Sequence, residues 1–197
     1  MAAFDDALNF VLSQEGGWNP NDPSFRGILQ STYDAYRRGH GLPTQDVRRI
    51  SDAELTAIYD VEYWQASGAG DLAANGQPGL ALAVFDGAVN QGTPTAKRLL
   101  AQSGGDLATF LSLREARYRA TAAADPAHAA DLSGWLARLG DVQREAGMLA
   151  ASQPLPGEGT PPAGAQSAGL GGPLGIVLAL GLVGALFFRG TLRGFLR

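Results

Sequence analysis

The sequence contains no cysteine, only two histidines and a single lysine, Lys97. Without cysteine there is no disulfide framework, no thiolate metal site and no cysteine nucleophile, and two histidines are too few for a histidine-rich metal centre. The formal net charge is −4, which excludes the basic surface typical of nucleic-acid-binding proteins. Any chemistry must therefore rest on carboxylate or hydroxyl groups.

The composition changes near residue 150, and the change indicates several segments. Residues 151–172 are rich in proline, glycine and alanine and carry one charge, Glu158, which is typical of a linker. Residues 168–188 carry no charge, and we predict a transmembrane helix at 173–188 followed by a basic tail at 189–197. A buried C-terminal helix of a soluble protein is the alternative for this stretch.

The charges around the predicted span suggest its orientation. Arg189, Arg193 and Arg197 follow it, no lysine or arginine lies in the linker before it, and basic flanks tend to stay in the cytoplasm. Residues 1–150 would then face the periplasm or the cell wall. The N-terminus lacks the basic and apolar segments of a signal peptide, so export requires another route, either a late signal anchor or assembly into a particle that meets the envelope from outside.

Hydrophobic periodicity predicts a mainly helical fold for residues 1–150, because apolar residues recur three and four apart and no alternating run exceeds a few residues. The S-x-x-E sequence Ser51–Glu54 predicts a capping box that opens a helix running to Trp64. Thr93 before Pro94 predicts a second N-cap, with proline in the first turn. These signals place helix boundaries but no β-sheet of any size.

Glu15 is the most informative single residue. On a helical wheel at about 100° per residue, Phe4, Leu8, Val11 and Glu15 lie within one narrow arc, so the carboxylate is on the apolar stripe. A carboxylate there is costly unless it is paired or protonated, and a protonated carboxyl group is what a general acid requires. The alternatives are an ion-paired structural glutamate at a helix C-terminus and a helix that ends one turn earlier.

The segment around Glu15 resembles a known family. The sequence FVLSQEGGWNPNDP is similar to the N-terminal signature of glycoside hydrolase family 108, the N-acetylmuramidases and lysozyme-like endolysins with an E-G-G-Y motif, here Glu15-Gly16-Gly17-Trp18. Four further elements follow in the family's order and extend the resemblance over residues 4–147: Arg26-Gly27-Ile28 with QSTYDAYRR, Glu62-Tyr63-Trp64, AVFDGAVNQG at 83–92, and SGWLAR at 133–138. The resemblance implies a helical lysozyme-like domain that hydrolyses the β-1,4 bond after N-acetylmuramic acid in peptidoglycan, with Glu15 as the acid.

The sequence departs from the family pattern just after this motif. The stretch NPNDPSFRGIL is shorter than its counterpart, lacks a Gly-Gly-x-Thr element and has Leu29 in place of threonine. In lysozyme-like folds this stretch builds a small β-wing over the cleft, so we expect a reduced β-wing. The second catalytic group of a glycosidase often comes from this region. Asp22 is our first candidate for that group, and an Asx turn that only shapes the loop is the alternative.

Other polar and aromatic residues are weaker candidates. Asp86 and Asn90 lie four apart and so share a helix face, either lining a cleft or forming a structural pair that binds neighbouring backbone. Trp18 and Tyr63 have rings suited to stacking on sugars, although aromatic residues at helical spacing are more often part of the core. Glu62 falls on the apolar side of its predicted helix and is either a second catalytic carboxylate or a partner of a buried arginine.

The layout and the resemblance together favour a membrane-tethered muramidase, encoded by a bacteriophage and used in infection or host lysis. The alternatives are a catalytically impaired glycan-binding or structural virion protein of the same fold, and a membrane-active protein whose span forms the lesion. The expected partners are peptidoglycan, a lipid membrane through the C-terminal helix, and virion proteins or further copies of the chain through the span. No metal or cofactor is expected, because acetal hydrolysis needs only proton transfer and electrostatic stabilisation.

Overall fold

The computed structural model describes residues 2–19, 23–125 and 128–152. The chain separates into two units, residues 1–156 and 157–197, and the described residues all belong to the first. The predicted linker, transmembrane helix and basic tail lie outside the described residues, apart from Ala151 and Ser152. Among the described residues, no helix combines the length and the apolar composition that a membrane crossing requires.

The described part is mainly helical, which confirms the predicted fold class. A 3₁₀-helix spans Val47–Arg49, and a π-helix spans Tyr59–Gln65 directly after the third α-helix. The α-helices are α1 Ala2–Gln14, α2 Gln30–Gly39, α3 Asp52–Ile58, α4 Ala69–Ala74, α5 Pro78–Gln91, α6 Thr93–Ser103, α7 Leu107–Ala124 and α8 Leu132–Ala151. The likeness to lysozyme stays a prediction, because helix content alone does not distinguish one helical fold from another.

Helix α5 is the centre of the domain. Every residue from Gly79 to Ala88 is buried, and α4, α6, α7 and α8 all pack against this helix. Its sequence explains this position, because GLALAVFDGA is apolar on all sides except at Asp86, and such a helix is stable only when it is covered. The predicted stripe Leu80, Val84 and Ala88 is buried as expected.

The helix termini confirm one capping prediction and correct another. At Ser51 the hydroxyl accepts from the Glu54 amide and the Glu54 side chain accepts from the Ser51 amide, so the predicted capping box is present. The prediction for Thr93 was wrong. The N-cap of α6 is Gly92, and the Thr93 hydroxyl instead donates to the Glu62 carbonyl at 3.1 Å. The Thr93 hydroxyl is therefore bonded to a carbonyl of the π-helix and does not cap α6.

A very short hairpin follows α1. Strands β1 (Ser24–Phe25) and β2 (Ile28–Leu29) pair antiparallel, with Phe25 opposite Ile28. The two turn residues, Arg26 and Gly27, have φ angles of 52° and 77°, as a two-residue turn of type I′ requires. Ile28 is fully buried and anchors the hairpin to the core. These two-residue strands agree with the reduced β-wing that was expected in this part of the chain.

The contact between α5 and α8 allows a direct test of the packing. A Cβ atom at Gly79 would overlap the backbone carbonyl of Ala146 on α8, and a backbone atom cannot move aside as a flexible side chain can. We expect Gly79→Ala to lower the free energy of unfolding by about 1–3 kcal/mol, measured by urea denaturation.

Gly147 on α8 is the matched control for this substitution. A Cβ atom there meets nothing within 4 Å, so Gly147→Ala should raise stability by about 0.5–1 kcal/mol through helix propensity alone. Equal effects of the two substitutions would contradict the close approach of the two helices.

Candidate active site

Glu15 immediately follows the last residue of α1 and continues the buried face of that helix. Leu8 and Val11 on this face are 7% and 0% exposed, whereas the Glu15 side chain keeps 17% of its surface exposed. Its Oε1 accepts a hydrogen bond from Nη1 of Arg138 at 2.9 Å. The carboxylate is therefore held at the edge of the core by an ion pair, with part of its surface open to solvent.

The hairpin turn packs directly against this carboxylate. A Cβ atom at Gly27 would lie 3.0 Å from Cγ and Cδ of Glu15 and would overlap the hydroxyl of Tyr59. Gly27 also has a positive φ angle, so both the space and the backbone conformation require glycine there. The Tyr59 hydroxyl donates to the carbonyl of Arg26 at 2.9 Å, which fixes the turn to the π-helix.

Two tyrosines of the π-helix lie close enough to feel the charge of Glu15. Burial, together with the negative charge of Glu15, raises the pKa of Tyr59 well above its usual range. The pKa of Tyr63 is also raised, mainly by burial and further by Glu62 and Glu15. Their rings lie 5.5 Å apart. Both hydroxyl groups therefore stay protonated and neutral at neutral pH, and the Tyr59 proton is donated to Arg26.

Arg138 connects Glu15 to a second carboxylate. Its Nε donates to Oδ1 of Asp86 at 2.8 Å, and Nη2 lies 2.8 Å from the same oxygen without the alignment of a hydrogen bond. Burial disfavours the charged guanidinium, but the attraction of Asp86 and Glu15 outweighs it and raises the pKa of Arg138. Arg138 therefore remains a cation between two carboxylates.

The second oxygen of Asp86 is taken by another arginine. Oδ2 accepts from Nη2 of Arg114 at 2.7 Å, and both side chains are 0% exposed. Arg114 also donates to the Ala83 carbonyl and to Gln91, at 3.2 Å each. Two carboxylates and two guanidinium groups therefore alternate from the core to Glu15. This charge network is defined here as Glu15, Arg138, Asp86 and Arg114.

The structure places the four predicted substrate-binding residues in different settings. Asp86 is buried inside the charge network and binds two arginine side chains, an arrangement that neither the cleft nor the backbone-binding alternative predicted. Asn90 is exposed one turn further along α5 and accepts a hydrogen bond from the Tyr118 hydroxyl. Tyr63 lies beside Glu15, as described. Trp18 is 39% exposed, and the guanidinium of Arg48 lies 4.8 Å from its ring centroid. Of these residues, Trp18 and Tyr63 present rings near the motif that contains Glu15.

Two further candidates have different outcomes. Asp22 lies outside the described residues, so its role stays a prediction. Glu62 is exposed and forms no ion pair within the described part of the chain, so its expected burial against an arginine was wrong. The wheel assumed α-helical geometry, whereas residues 59–65 form a π-helix. The wider turn of a π-helix changes the direction of the residues that follow, and Tyr59 and Trp64 are buried instead.

Arg138, Arg114 and Tyr59 build most of the site around Glu15, and their roles were not predicted from the sequence. A signal for Arg114 is present, because it lies on the stripe Leu111, Arg114 and Tyr118 of α7, all of which are buried. A charged residue on an apolar stripe is the same signal that identified Glu15. The partner of each charge could not be read from this signal, since Arg138 lies 123 residues from Glu15.

The site can provide a partly exposed carboxyl group, an adjacent fixed cation and the neutral hydroxyl group of Tyr63. This set suits proton donation to a leaving oxygen atom, because the cation stabilises the carboxylate that remains. Within residues 2–19, 23–125 and 128–152, no three His, Asp or Glu side chains are grouped so that they could hold a metal ion.

Comparison with known proteins gives one match. No curated protein and no solved structure matches the chain significantly. Residues 8–92 match the family model described as Glycosyl hydrolase 108, a stretch that includes Glu15, the hairpin, the π-helix and α5. This part of the chain is therefore similar to glycosyl hydrolase family 108.

Proposed function

We propose that the helical domain is a muramidase, which hydrolyses the β-1,4 bond between N-acetylmuramic acid and N-acetylglucosamine in peptidoglycan. The family match supports a peptidoglycan-hydrolysing glycosidase. The observation that carries the proposal is Glu15, a partly exposed carboxyl group held against Arg138 at 2.9 Å and covered by Gly27 of the hairpin. Both contacts fix the carboxyl group in one orientation, as a positioned acid requires.

In the proposed reaction Glu15 first takes up a proton from solvent, to which part of its surface is open. It then donates this proton to the glycosidic oxygen as the bond to the sugar C1 breaks. The electron pair of that bond stays with the protonated oxygen, and positive charge develops on the sugar ring. Arg138 stabilises the carboxylate that forms as the proton leaves, and this interaction strengthens in the transition state. Trp18 and Tyr63 would stack on the sugar faces.

Asp22 is the proposed second catalytic group. It lies in the chain between Asn19, which bridges to Ser24, and β1, so the loop that carries it starts and ends beside the hairpin. A carboxylate that activates water from the opposite face of the sugar gives inversion, whereas one close enough to bond to C1 gives retention. Its separation from Glu15 decides between these two mechanisms.

We further propose that residues 173–188 anchor the domain to a membrane and that the domain faces the cell wall. The uncharged run at 168–188 supports this, because at about 1.5 Å per residue a helix of that length covers about 30 Å of hydrocarbon. The arginines at 189, 193 and 197 support the orientation. The combination of a membrane anchor and a muramidase supports a phage protein that is used in infection or host lysis.

The first test of this function is Glu15→Gln. Glutamine keeps the shape and can still accept a hydrogen bond from Arg138, but it cannot donate the acidic proton. We expect murein hydrolysis, measured as released reducing sugar, to fall by about 10²-fold or more. Glu145→Gln on α8 makes the same chemical change away from the site and should retain activity. Near-normal turnover of Glu15→Gln would exclude this residue as the acid.

The second test concerns the hairpin loop. If Asp22 activates water or stabilises the transition state, Asp22→Asn should lower turnover by about 10²-fold and leave the sedimentation of the protein with insoluble murein unchanged. The exposed residue Asp71 of α4 provides the control Asp71→Asn. A wild-type rate for Asp22→Asn would show that Asp22 only shapes the turn. A different residue would then have to be the second catalytic group.

The third test addresses the anchor. The full chain should partition with membranes and resist carbonate extraction, because a spanning helix is not released by high pH. Residues 1–150 alone should remain in the soluble fraction and hydrolyse murein at the same rate per molecule. A full chain that stays soluble without detergent would contradict the anchor and favour a docked C-terminal helix.

A further inference from the structure

A small pocket lies beside the charge network, where α5, α7 and α8 meet. Its volume is about 240 Å³, and it is lined by Asn90, Gln91, Arg117, Tyr118, Thr121 and Trp135. This set of residues is called the α5–α7–α8 pocket below. The function proposed above assigns no ligand to it.

The position of the pocket follows from helix geometry. Asn90 is four residues after Asp86 on α5, Tyr118 is four residues after Arg114 on α7, and Trp135 is three residues before Arg138 on α8. Residues three or four apart on a helix are neighbours about 5–6 Å apart. Three members of the charge network are thus each one turn away from a residue that lines the pocket.

The walls of the pocket are held rigidly. The Tyr118 hydroxyl donates to Oδ1 of Asn90 and accepts from Nη2 of Arg114 at 3.2 Å, and the Tyr118 ring stacks on Trp135 with centroids 5.2 Å apart. Burial raises the pKa of Tyr118, so the hydroxyl remains a donor at neutral pH. The bond to Tyr118 fixes the Asn90 amide and occupies its oxygen.

Two side chains that line the pocket present free hydrogen-bond donors. Within the described part of the chain, the Asn90 amide nitrogen and the guanidinium of Arg117 donate no side-chain hydrogen bond, and Arg117 is exposed and forms no ion pair. Arg117 is the only charged residue among the lining residues. His128, whose ring lies 5.7 Å from Trp135, contacts the nearby acids Asp125 and Asp131. An unpaired cation next to an amide donor favours an anionic acceptor such as a carboxylate.

We infer that the α5–α7–α8 pocket binds a carboxylate of the peptidoglycan substrate. This inference rests on the proposed function, because the group that it places in the pocket belongs to the glycan that the proposed function binds at Glu15. Peptidoglycan carries carboxylates on the stem peptide, and on the lactyl group of N-acetylmuramic acid where the stem peptide has been removed, because an attached peptide converts the lactyl carboxylate into an amide. Oligomers of β-1,4-linked N-acetylglucosamine carry none. Arg117 and Asn90 bind the carboxylate, and the stacked Trp135 forms the apolar wall. The pocket thus selects peptidoglycan over neutral glycans of the same linkage.

The test measures binding on the full-length chain with Glu15→Gln, so that no ligand is hydrolysed. Isothermal titration with a disaccharide carrying its stem peptide should show Kd raised about tenfold by Arg117→Gln, the effect of losing a hydrogen bond to a charged group. Asn90→Asp, which keeps the acceptor for Tyr118 but adds a negative charge, should weaken binding at least as much. Arg119→Gln is the control, because Arg119 pairs with Glu115 on the same helix and does not line the pocket.

Three ligands separate the possible outcomes. A loss of affinity with the peptide-bearing disaccharide alone assigns the stem peptide. A loss with the peptide-free disaccharide assigns the lactyl carboxylate, which the peptide-bearing ligand presents only as an amide. The tetramer of N-acetylglucosamine should bind all variants equally. The inference is overturned if neither disaccharide binds, if Arg117→Gln leaves the Kd of both disaccharides unchanged, or if the tetramer or Arg119→Gln shows the same loss.

The outcome for the pocket is distinguishable from the outcome for catalysis. If the native chain fails to hydrolyse murein but its Kd for the peptide-bearing disaccharide depends on Arg117, the pocket stands and the muramidase proposal fails. If hydrolysis depends on Glu15 and no Kd depends on Arg117, the muramidase stands and the pocket is not a carboxylate site.

Discussion

The candidate site depends on the contacts of the Arg138 guanidinium with two carboxylates. The guanidinium joins Glu15 at the edge of the core to Asp86 inside it, and Asp86 in turn neutralises the fully buried Arg114. A buried charge is tolerated only when it is paired, so no member of this alternating chain can be removed without leaving another charge uncompensated. The orientation of the proposed acid is therefore set by the packing of three helices rather than by its own loop.

The hairpin imposes a second constraint on Glu15 from the opposite direction. Gly27 leaves no room between its backbone and the carboxyl group, and Tyr59 binds the adjacent carbonyl of Arg26. The strands are only two residues long, so this hairpin has little stability of its own. Its fixed position comes from the burial of Ile28 and from the contacts of the turn, which explains how so small a β-element can cover the site.

Local signals in the sequence predicted the features that depend on neighbouring residues. The capping box at Ser51, the buried stripe of α5 and the core-facing position of Glu15 follow from spacings of three and four residues. Features that depend on distant residues or on departures from α-helical geometry were missed. The π-helix changed the direction of Glu62, and the Glu15–Arg138 pair joins residues 123 apart. Periodicity shows that a charge faces the core, but not which distant charge meets it.

The carboxylates and the arginines of the charge network lie in different parts of the chain. Both carboxylates, Glu15 and Asp86, lie within the segment that matches the family model, whereas both arginines lie after it, on α7 and α8. During synthesis the first 92 residues therefore leave the ribosome with two core-facing carboxylates and neither of their cations. Because Arg138 is the last of the four to be made, the site can close only after the first two turns of α8 have been made, and folding of the segment that matches the family model is tied to the helices that follow it.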